Sequence, residues 1–268
     1  MTKLEKGLRF LWTILRRPHL AGAVLHDNRF WHASFQRRFG HTRPLPVVPL
    51  STFVPDSATL GEYTFLGGGS MITDLLLLQA LASREDIETY FEIGTWRGES
   101  LAAVVDHVKA AWSLDLDQAA MDHLGFPEHL QAQMGALGGE YPHVHFLQGD
   151  SMQFDFKQIG RPIDLIFIDA KHTYDYVCHD TRMVLRHLWH EGSVIVWHDY
   201  AYNPEHVRWE VYQGILDSLP ATLHAQLYQV GHTKCAMLWP GGTLPVHPAR
   251  FPQDLKELWS VHIKRRSL

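Results

Sequence analysis

The sequence predicts an α/β protein: a mostly parallel, seven-stranded sheet with helices on both faces, preceded by an N-terminal helical extension. Three observations carry this. Short apolar runs such as Leu165-Ile166-Phe167-Ile168 alternate with longer segments whose apolar residues recur at helical spacing. Strands that are apolar throughout belong to a sheet covered on both faces, as parallel sheets are. Five of the strands also end abruptly in polar residues, at Glu92, Asp115, Asp150-Ser151, Asp169 and His198-Asp199. Ligands of such sheets bind outside the C-terminal strand ends, so these residues outline a candidate site.

The elements follow in order. "KGLRFLWTILRR" reads as a short amphipathic helix with Leu4, Leu8, Leu11 and Leu15 along one side. Its apolar run is too short for a signal peptide and ends in Arg16-Arg17. It is expected to dock on the body of the protein or on a sister subunit; the alternative is a basic helix lying on a membrane surface. Residues 18–43 mix aromatics with arginine and histidine, as helix and loop. "RPLPVVPLSTFVPDS" holds four prolines in fifteen residues and reads as an extended linker. Residues 44–66, lying directly before a glycine-rich turn, are expected to pass near the ligand pocket and help close it. A helix over about 71–82 follows.

From there strands and helices alternate. "ETYFEIG", "AWSLDLD", "VHFLQGDS", "IDLIFIDA" and "GSVIVWHD" are strands. Between them lie "GESLAAVVDHVKA", "QAAMDHLGFPEHLQAQMGAL", which Pro127 should break, and "TYDYVCHDTRMVLRHL". A helix over about 206–219 precedes two closing strands, "AQLYQVG" and "CAMLWP". The expected division is an extension and linker over 1–60, a ligand-binding domain over 61–245, and a helical tail over 246–268.

Composition narrows the function. A net charge of -5 argues against a protein built around nucleic-acid phosphates. Cys178 and Cys235 offer neither a disulfide framework nor a Cys-x-x-Cys metal spacing, which points to the reducing cytoplasm. No apolar run is long enough to span a bilayer. Nineteen histidines are scattered, without a His-Glu-x-x-His pair. A homodimer through the N-terminal or C-terminal helices is expected.

The motifs narrow it further. In "FEIGTWRGES", Gly94 and Gly98 bracket a turn where the backbone passes close to a ligand, and Ser100 opens the next helix. The turn lacks the G-x-G-x-x-G of a dinucleotide fold, and a helix N-terminus favours an anion of any kind. Asp115, about twenty residues on, sits where a carboxylate accepts both hydroxyls of a ribose. "GDS" at 149–151 supplies a donor–acceptor pair suited to an adenine edge. Three strand ends thus match one nucleoside-shaped ligand.

On E-I-G-T-x-x-G-x-S, the acid of "SLDLD", "GDS", "FIDAKHTYDYV" with Asp180 following, and "GSVIVWHD", residues 67–240 resemble the class I S-adenosylmethionine-dependent methyltransferases, with a Rossmann-like fold. Within them the chain looks most similar to the small-molecule O-methyltransferases, the branch of catechol and macrocin O-methyltransferases. The resemblance implies that Glu92, Gly94, Thr95, Gly98 and Ser100 hold the methionine part of S-adenosylmethionine. It also implies that Asp115 takes the ribose, Asp150 and Ser151 the adenine, and that Asp169 lies beneath the sulfonium. In metal-assisted members, an acid at the position of Asp169 and a pair of ligands at the end of the next strand hold a divalent cation. Here that pair is His198-Asp199, and a histidine there favours Mn²⁺ or Zn²⁺ over Mg²⁺, or no metal at all. His172, three residues past Asp169, is placed to take a hydroxyl proton; Asp169 and His172 are therefore the expected catalytic pair, with helix capping as the alternative. The acceptor expected is the hydroxyl of a small molecule (natural product, sugar or phenolic). A metal-dependent hydroxylase or hydrolase on the same fold, or a catalytically silent S-adenosylmethionine-binding module, are the alternatives.

Overall fold

The fold is described from a computed structural model, which describes residues 2–17, 27–137, 139, 141–250 and 257–265. Ten strands are present among these residues. Eight form one sheet: β1 (Val47–Val48), β2 (Thr89–Ile93), β3 (Ala110–Asp115), β4 (Val144–Gln148), β5 (Leu165–Ile168), β6 (Val194–Trp197), β9 (Leu227–Val230) and β10 (Ala236–Leu238). Their order is β1-β9-β10-β6-β5-β2-β3-β4. Every adjacent pair is parallel except the two that β10 makes, with β6 and with β9. β7 (Ala201–Asn203) and β8 (His206–Val207) form a separate small ribbon.

The sheet is buried because its strands are apolar on both faces. Leu165 and Phe167 of β5 face one core, with Tyr90, Val194, Val196 and Met237. That core is capped by α3 (Ile72–Ala82), through Leu75, Leu78 and Leu81, and by α4 (Glu99–Val104). Ile166 and Ile168 face the opposite core, with Phe91, Leu114, Ile195 and Trp197. There the cover is α7 (Tyr174–His187), α8 (Trp209–Ser218) and α2 (Asn28–Phe39), whose Phe35 stacks on Tyr212 of α8. The period-two alternation of one strand thus feeds two separate cores.

Three departures from the expected elements have physical reasons. The sheet has eight strands rather than seven because the proline-rich segment is extended and also paired: Val47 and Val48 lie parallel to Gln229 and Val230. Pro46 and Pro49 flank this pair, which prolines tolerate at a sheet edge. The break at Pro127 is as expected: it separates α5 (Gln118–His123) from α6 (Glu128–Gln131) and sits at the N-cap of the second. The helix expected from 206 begins at Trp209, since His206–Val207 pairs with β7 instead. Residues 257–265 of the expected helical tail carry no helix; 251–256 and 266–268 lie outside the described residues. The first helix, α1 (Lys3–Arg16), forms as expected, but none of its residues is buried. No helix among the described residues is long and apolar enough to cross a membrane.

Candidate active site

The chain runs from β2 outward through β3 to β4, then returns to place β5 on the other side of β2. The strand order therefore reverses between β2 and β5, which opens a crevice at their C-terminal ends. The backbone ladder continues one residue past the strands and lines up the polar exits. His198 N–H donates to the carbonyl of Ile168, Asp169 N–H to that of Ile93, Gly94 N–H to that of Leu114, and Gly149 N–H to that of Asp115. The row His198, Asp169, Gly94, Asp115, Gly149 is thus fixed by register.

At the crevice Gly94 has φ +101, and a Cβ there would overlap the Asp169 carbonyl. Only glycine lets the two exits approach this closely. A pocket opens beside them, lined by Ser70, Thr95, Ser100 and Asp169 among others. The turn that bounds it is braced from both sides. Asp115 accepts from the backbone N–H of Trp96 and of Leu116, each at 2.7 Å. Burial raises the Asp115 carboxyl above its ordinary range, against the pull of these backbone donors. The Thr95 hydroxyl bonds that of Ser113.

Glu92 is placed differently from expectation. Its carboxylate is wholly buried behind the turn and accepts from the hydroxyls of Tyr90, Ser100 and Ser113 at 2.6–2.7 Å. Glu92 reaches the pocket lining through Ser100, and through Ser113 to Thr95. Burial pushes its carboxyl up to about 7 despite these three donors. Gly98, with φ 86, caps the start of α4. At the β4 exit, Asp150 accepts from Met152 N–H at 3.0 Å and from Tyr176 Oη at 3.4 Å. Ser151 is buried beside Asp180 of α7.

On the other side of Asp169 the ionisable groups converge. His198 Nδ1 is 2.7 Å from Asp169 Oδ1 and 3.4 Å from Asp199 Oδ1. His172 Nε2 is 3.7 Å from Asp169 Oδ1 and 3.3 Å from Asp199 Oδ2. The four residues expected from the sequence to serve proton transfer and metal binding therefore face one another. Three groups absent from that reading complete the cluster. Asp74 of α3 is fully buried, 3.0 Å from His198 Nε2, and accepts from the backbone N–H of Met71 and Lys234. Lys234 Nζ donates to Asp199 Oδ1 at 2.8 Å, and Arg208 lies 3.4 Å from Asp199 Oδ2. The one sequence signal for Asp74 is a lone carboxylate in the otherwise apolar helix "MITDLLLLQALA". A carboxylate on the buried face of such a helix needs a buried partner.

The electrostatics follow from these contacts. Burial drives the His198 imidazole toward neutrality, but Asp169 and Asp74 override it and hold it at about 10. Asp199 is held down at about 2, because His172, His198 and Lys234 outweigh its burial. His172 moves the other way: burial lowers it more than Asp169 and Asp199 raise it, leaving a neutral imidazole at neutral pH. Asp199 adopts φ 52, in the left-handed region, and its two cationic partners hold it there.

The chemistry of these donors bears on a bound cation. His198 Nδ1 is buried and has no hydrogen-bond partner, since Asp169 approaches it outside hydrogen-bond geometry. Its other nitrogen rests on Asp74, the arrangement that orients a metal-bound imidazole. Asp169, His172 and His198 each present one ligand atom within 4.8 Å of the others. Two imidazoles and a carboxylate suit Zn²⁺ or Mn²⁺ better than Mg²⁺. These three residues fit a divalent cation; Asp199, already held by Lys234 and Arg208, is less free to join them than the sequence suggested.

Residues 91–200 match the family model described as a methyltransferase domain, which is less than half of the chain. Among curated proteins, "Uncharacterized protein R132" of Acanthamoeba polyphaga mimivirus is 28% identical over 130 residues, covering 46% of this chain and 58% of that protein. The chain thus spans less than two thirds of that relative's length. Among solved structures, the methyltransferase PaMTH1 of Podospora anserina bound to S-adenosylhomocysteine (SAH) is similar over 63% of this chain and 78% of its own, at 17% identity and a TM-score of 0.44. An O-methyltransferase of Bacillus cereus in complex with SAH is similar over 64% and 82%, at 18% identity and a TM-score of 0.45.

Proposed function

We propose that this protein is an S-adenosylmethionine-dependent methyltransferase acting on a hydroxyl of a small molecule. The observation that carries the reading is the juxtaposition at the reversal of strand order. A nucleoside-suited set, Asp115 with Asp150 and Ser151, lies on one side of Gly94, and a neutral imidazole, His172, lies beside Asp169 on the other. The match of residues 91–200 to a methyltransferase domain supports the same reading.

S-adenosylmethionine brings an already activated methyl group, so little covalent chemistry is asked of side chains. What the chain must do is align the acceptor oxygen and remove one proton. The backbone of the Gly94–Ser100 turn and the Ser100 hydroxyl would hold the amino-acid end, and Asp115 the ribose. Asp169 would face the positive charge. His172 would accept the hydroxyl proton at Nε2, and Asp169 and Asp199 would stabilise the imidazolium formed, at 3.7 and 3.3 Å. If a divalent cation is held instead by Asp169, His172 and His198, it would lower the acceptor's pKa, and His172 would be a ligand and not the base.

Calorimetry tests the cofactor. Binding of S-adenosylmethionine or S-adenosylhomocysteine is expected at micromolar levels, and Asp115→Ala should weaken it by about 1–3 kcal/mol. Absence of binding, or tighter binding of NAD, would refute the assignment. His172→Ala should lower turnover by roughly 10²–10⁴-fold with cofactor affinity nearly intact, the usual loss when general-base help is removed. Chelator separates the two roles of His172. Unchanged turnover in chelator leaves it as base, whereas loss restored by Zn²⁺ or Mn²⁺ makes it a ligand. Cofactor binding with no turnover on any hydroxyl acceptor would favour a silent binding module.

A further inference from the structure

We propose that α1 is a membrane-surface anchor, an amphipathic helix that lies along a bilayer bearing anionic phospholipids. The helix is locally determined. Its N-cap Thr2 accepts from Glu5 N–H, and Glu5 reaches back to Thr2 N–H, a complete capping box. Five of its large side chains stand exposed: Leu4, Leu8, Leu11, Trp12 and Leu15 are between 56% and 82% exposed. At 3.6 residues per turn these five fall, with Gly7 and Ile14, on one arc of roughly 160°. The opposite arc carries Lys3, Lys6, Arg9, Arg16 and Arg17 against a single acid, Glu5, with Phe10, 48% exposed, as its one large apolar residue. Trp12 sits at the boundary of the arcs, and the Arg16 guanidinium lies 4.0 Å from its ring centroid. An apolar arc edged by tryptophan, facing a lysine- and arginine-rich arc, is the signature of a helix lying in the lipid–water interface.

The covering partner must be both apolar and anionic. Residues 2–17 carry five basic groups and one acid, a charge of +4, so with -5 for the whole chain the remainder carries -9. The leucines at 4, 8, 11 and 15 follow heptad spacing, which raises a second copy of the helix as occupant. The flanking positions of that seam would be Glu5, Gly7, Trp12 and Ile14, which offer no complementary charges. Two heptads also fall short of the three or four a coiled coil sustains, and the arc is wider than its seam. A bilayer surface takes the whole arc and the basic face together. The same chemistry recurs in residues 257–265, where exposed Leu258, Val261 and Ile263 run into Lys264 and Arg265.

Co-sedimentation of the full chain with vesicles tests this. Binding is expected to vesicles of phosphatidylcholine with about one third phosphatidylserine, and not to phosphatidylcholine alone, with release at high salt. Lys3→Glu with Lys6→Glu should lower the partition coefficient at least about tenfold. Leu8→Asp with Leu11→Asp, or removal of residues 1–17, should abolish binding. Thermal midpoints of the two doubly substituted variants should equal the parent's, since no residue of α1 is buried. Absence of binding to anionic vesicles, equal binding to neutral ones, or full binding by the variants would overturn the proposal. So would a lipid-free dimer that dissociates in Leu8→Asp with Leu11→Asp, which would assign the helix to a second copy.

Discussion

Asp180 carries a pH dependence that can be worked out in advance. It is buried in α7, and its Oδ1 has no hydrogen-bond partner. Burial raises its carboxyl from 3.8 to about 7; the Ser151 hydroxyl lowers it and the charge of Asp150 raises it further. Between those two values the folded chain binds more protons than the unfolded chain, so stability falls as pH rises. The contribution is fully present below pH 4, is lost as pH climbs toward 7, and is flat above. A rise of this size corresponds to roughly 2–4 kcal/mol once unfolded-state interactions are allowed for. Asp180→Asn cannot ionise, so its stability relative to the parent should rise by somewhat more than half of that amount between pH 5 and pH 8 in urea melts. A constant difference across that range would mean that Asp180 does not carry the slope. At this scale the sequence was informative where side chains sit on strand exits. Asp169, His172, His198 and Asp199 were all legible, and they face one another. Asp74, Arg208 and Lys234 were not, because they come from a helix and loops away from the strand exits and reach the cluster only through tertiary packing.

Among the elements, the segment Thr64–Ser70 shows how the pocket is covered. Thr64 donates through its backbone N–H and its hydroxyl to Glu99 Oε1, and Arg97 donates to the carbonyls of Leu66 and Gly67. Arg97 and Glu99 are both buried and 3.5 Å apart, so the turn that borders the pocket also clamps the strap above it. Arg97→Ala removes two of these bonds. It should speed hydrogen exchange in residues 64–70 and weaken S-adenosylmethionine binding by about 1–3 kcal/mol. Faster exchange with unchanged affinity would separate the strap from the site. Of residues 44–66, expected to pass near the pocket, Thr64 and Leu66 bond the turn; the glycines that follow carry the rest of the strap. The strand within the proline-rich segment did not, because two residues, Val47 and Val48, carry no readable period.

For the whole molecule, the N-terminal residues divide into two parts with different consequences. Residues 28–54 belong to the folded body. Phe35, Leu45, Val47, Val48 and Leu50 are buried, and Asn28 bonds Val207 and Trp209 across the fold. Residues 2–17 contribute no buried side chain. Removing residues 1–17 should therefore leave a cooperative melt unchanged, while removing 1–54 strips both cores and one sheet edge and should abolish it. Each lost core residue alone is worth about 2–5 kcal/mol, against a total of roughly 5–15. A cooperative, ligand-binding product of the larger deletion would show that the two cores close without them.

The pairing of β1 with β9 also sets an order of events during synthesis. Val47 and Val48 leave the ribosome some 180 residues before Gln229 and Val230, the partners that complete their side of the sheet. At about 5–20 residues per second that interval is on the order of 10–40 s. The same wait applies to Arg38, which meets Asp217, and to Phe35, which meets Tyr212. Through it the nascent chain must hold an aromatic helix and an unpaired strand without a template, while β2 to β6 assemble in sequence behind them. Mutations in β9 or β10 would then act first on the newborn chain. They would prolong exposure of its N-terminal apolar segments and lower the yield of folded protein more than the stability of what does fold.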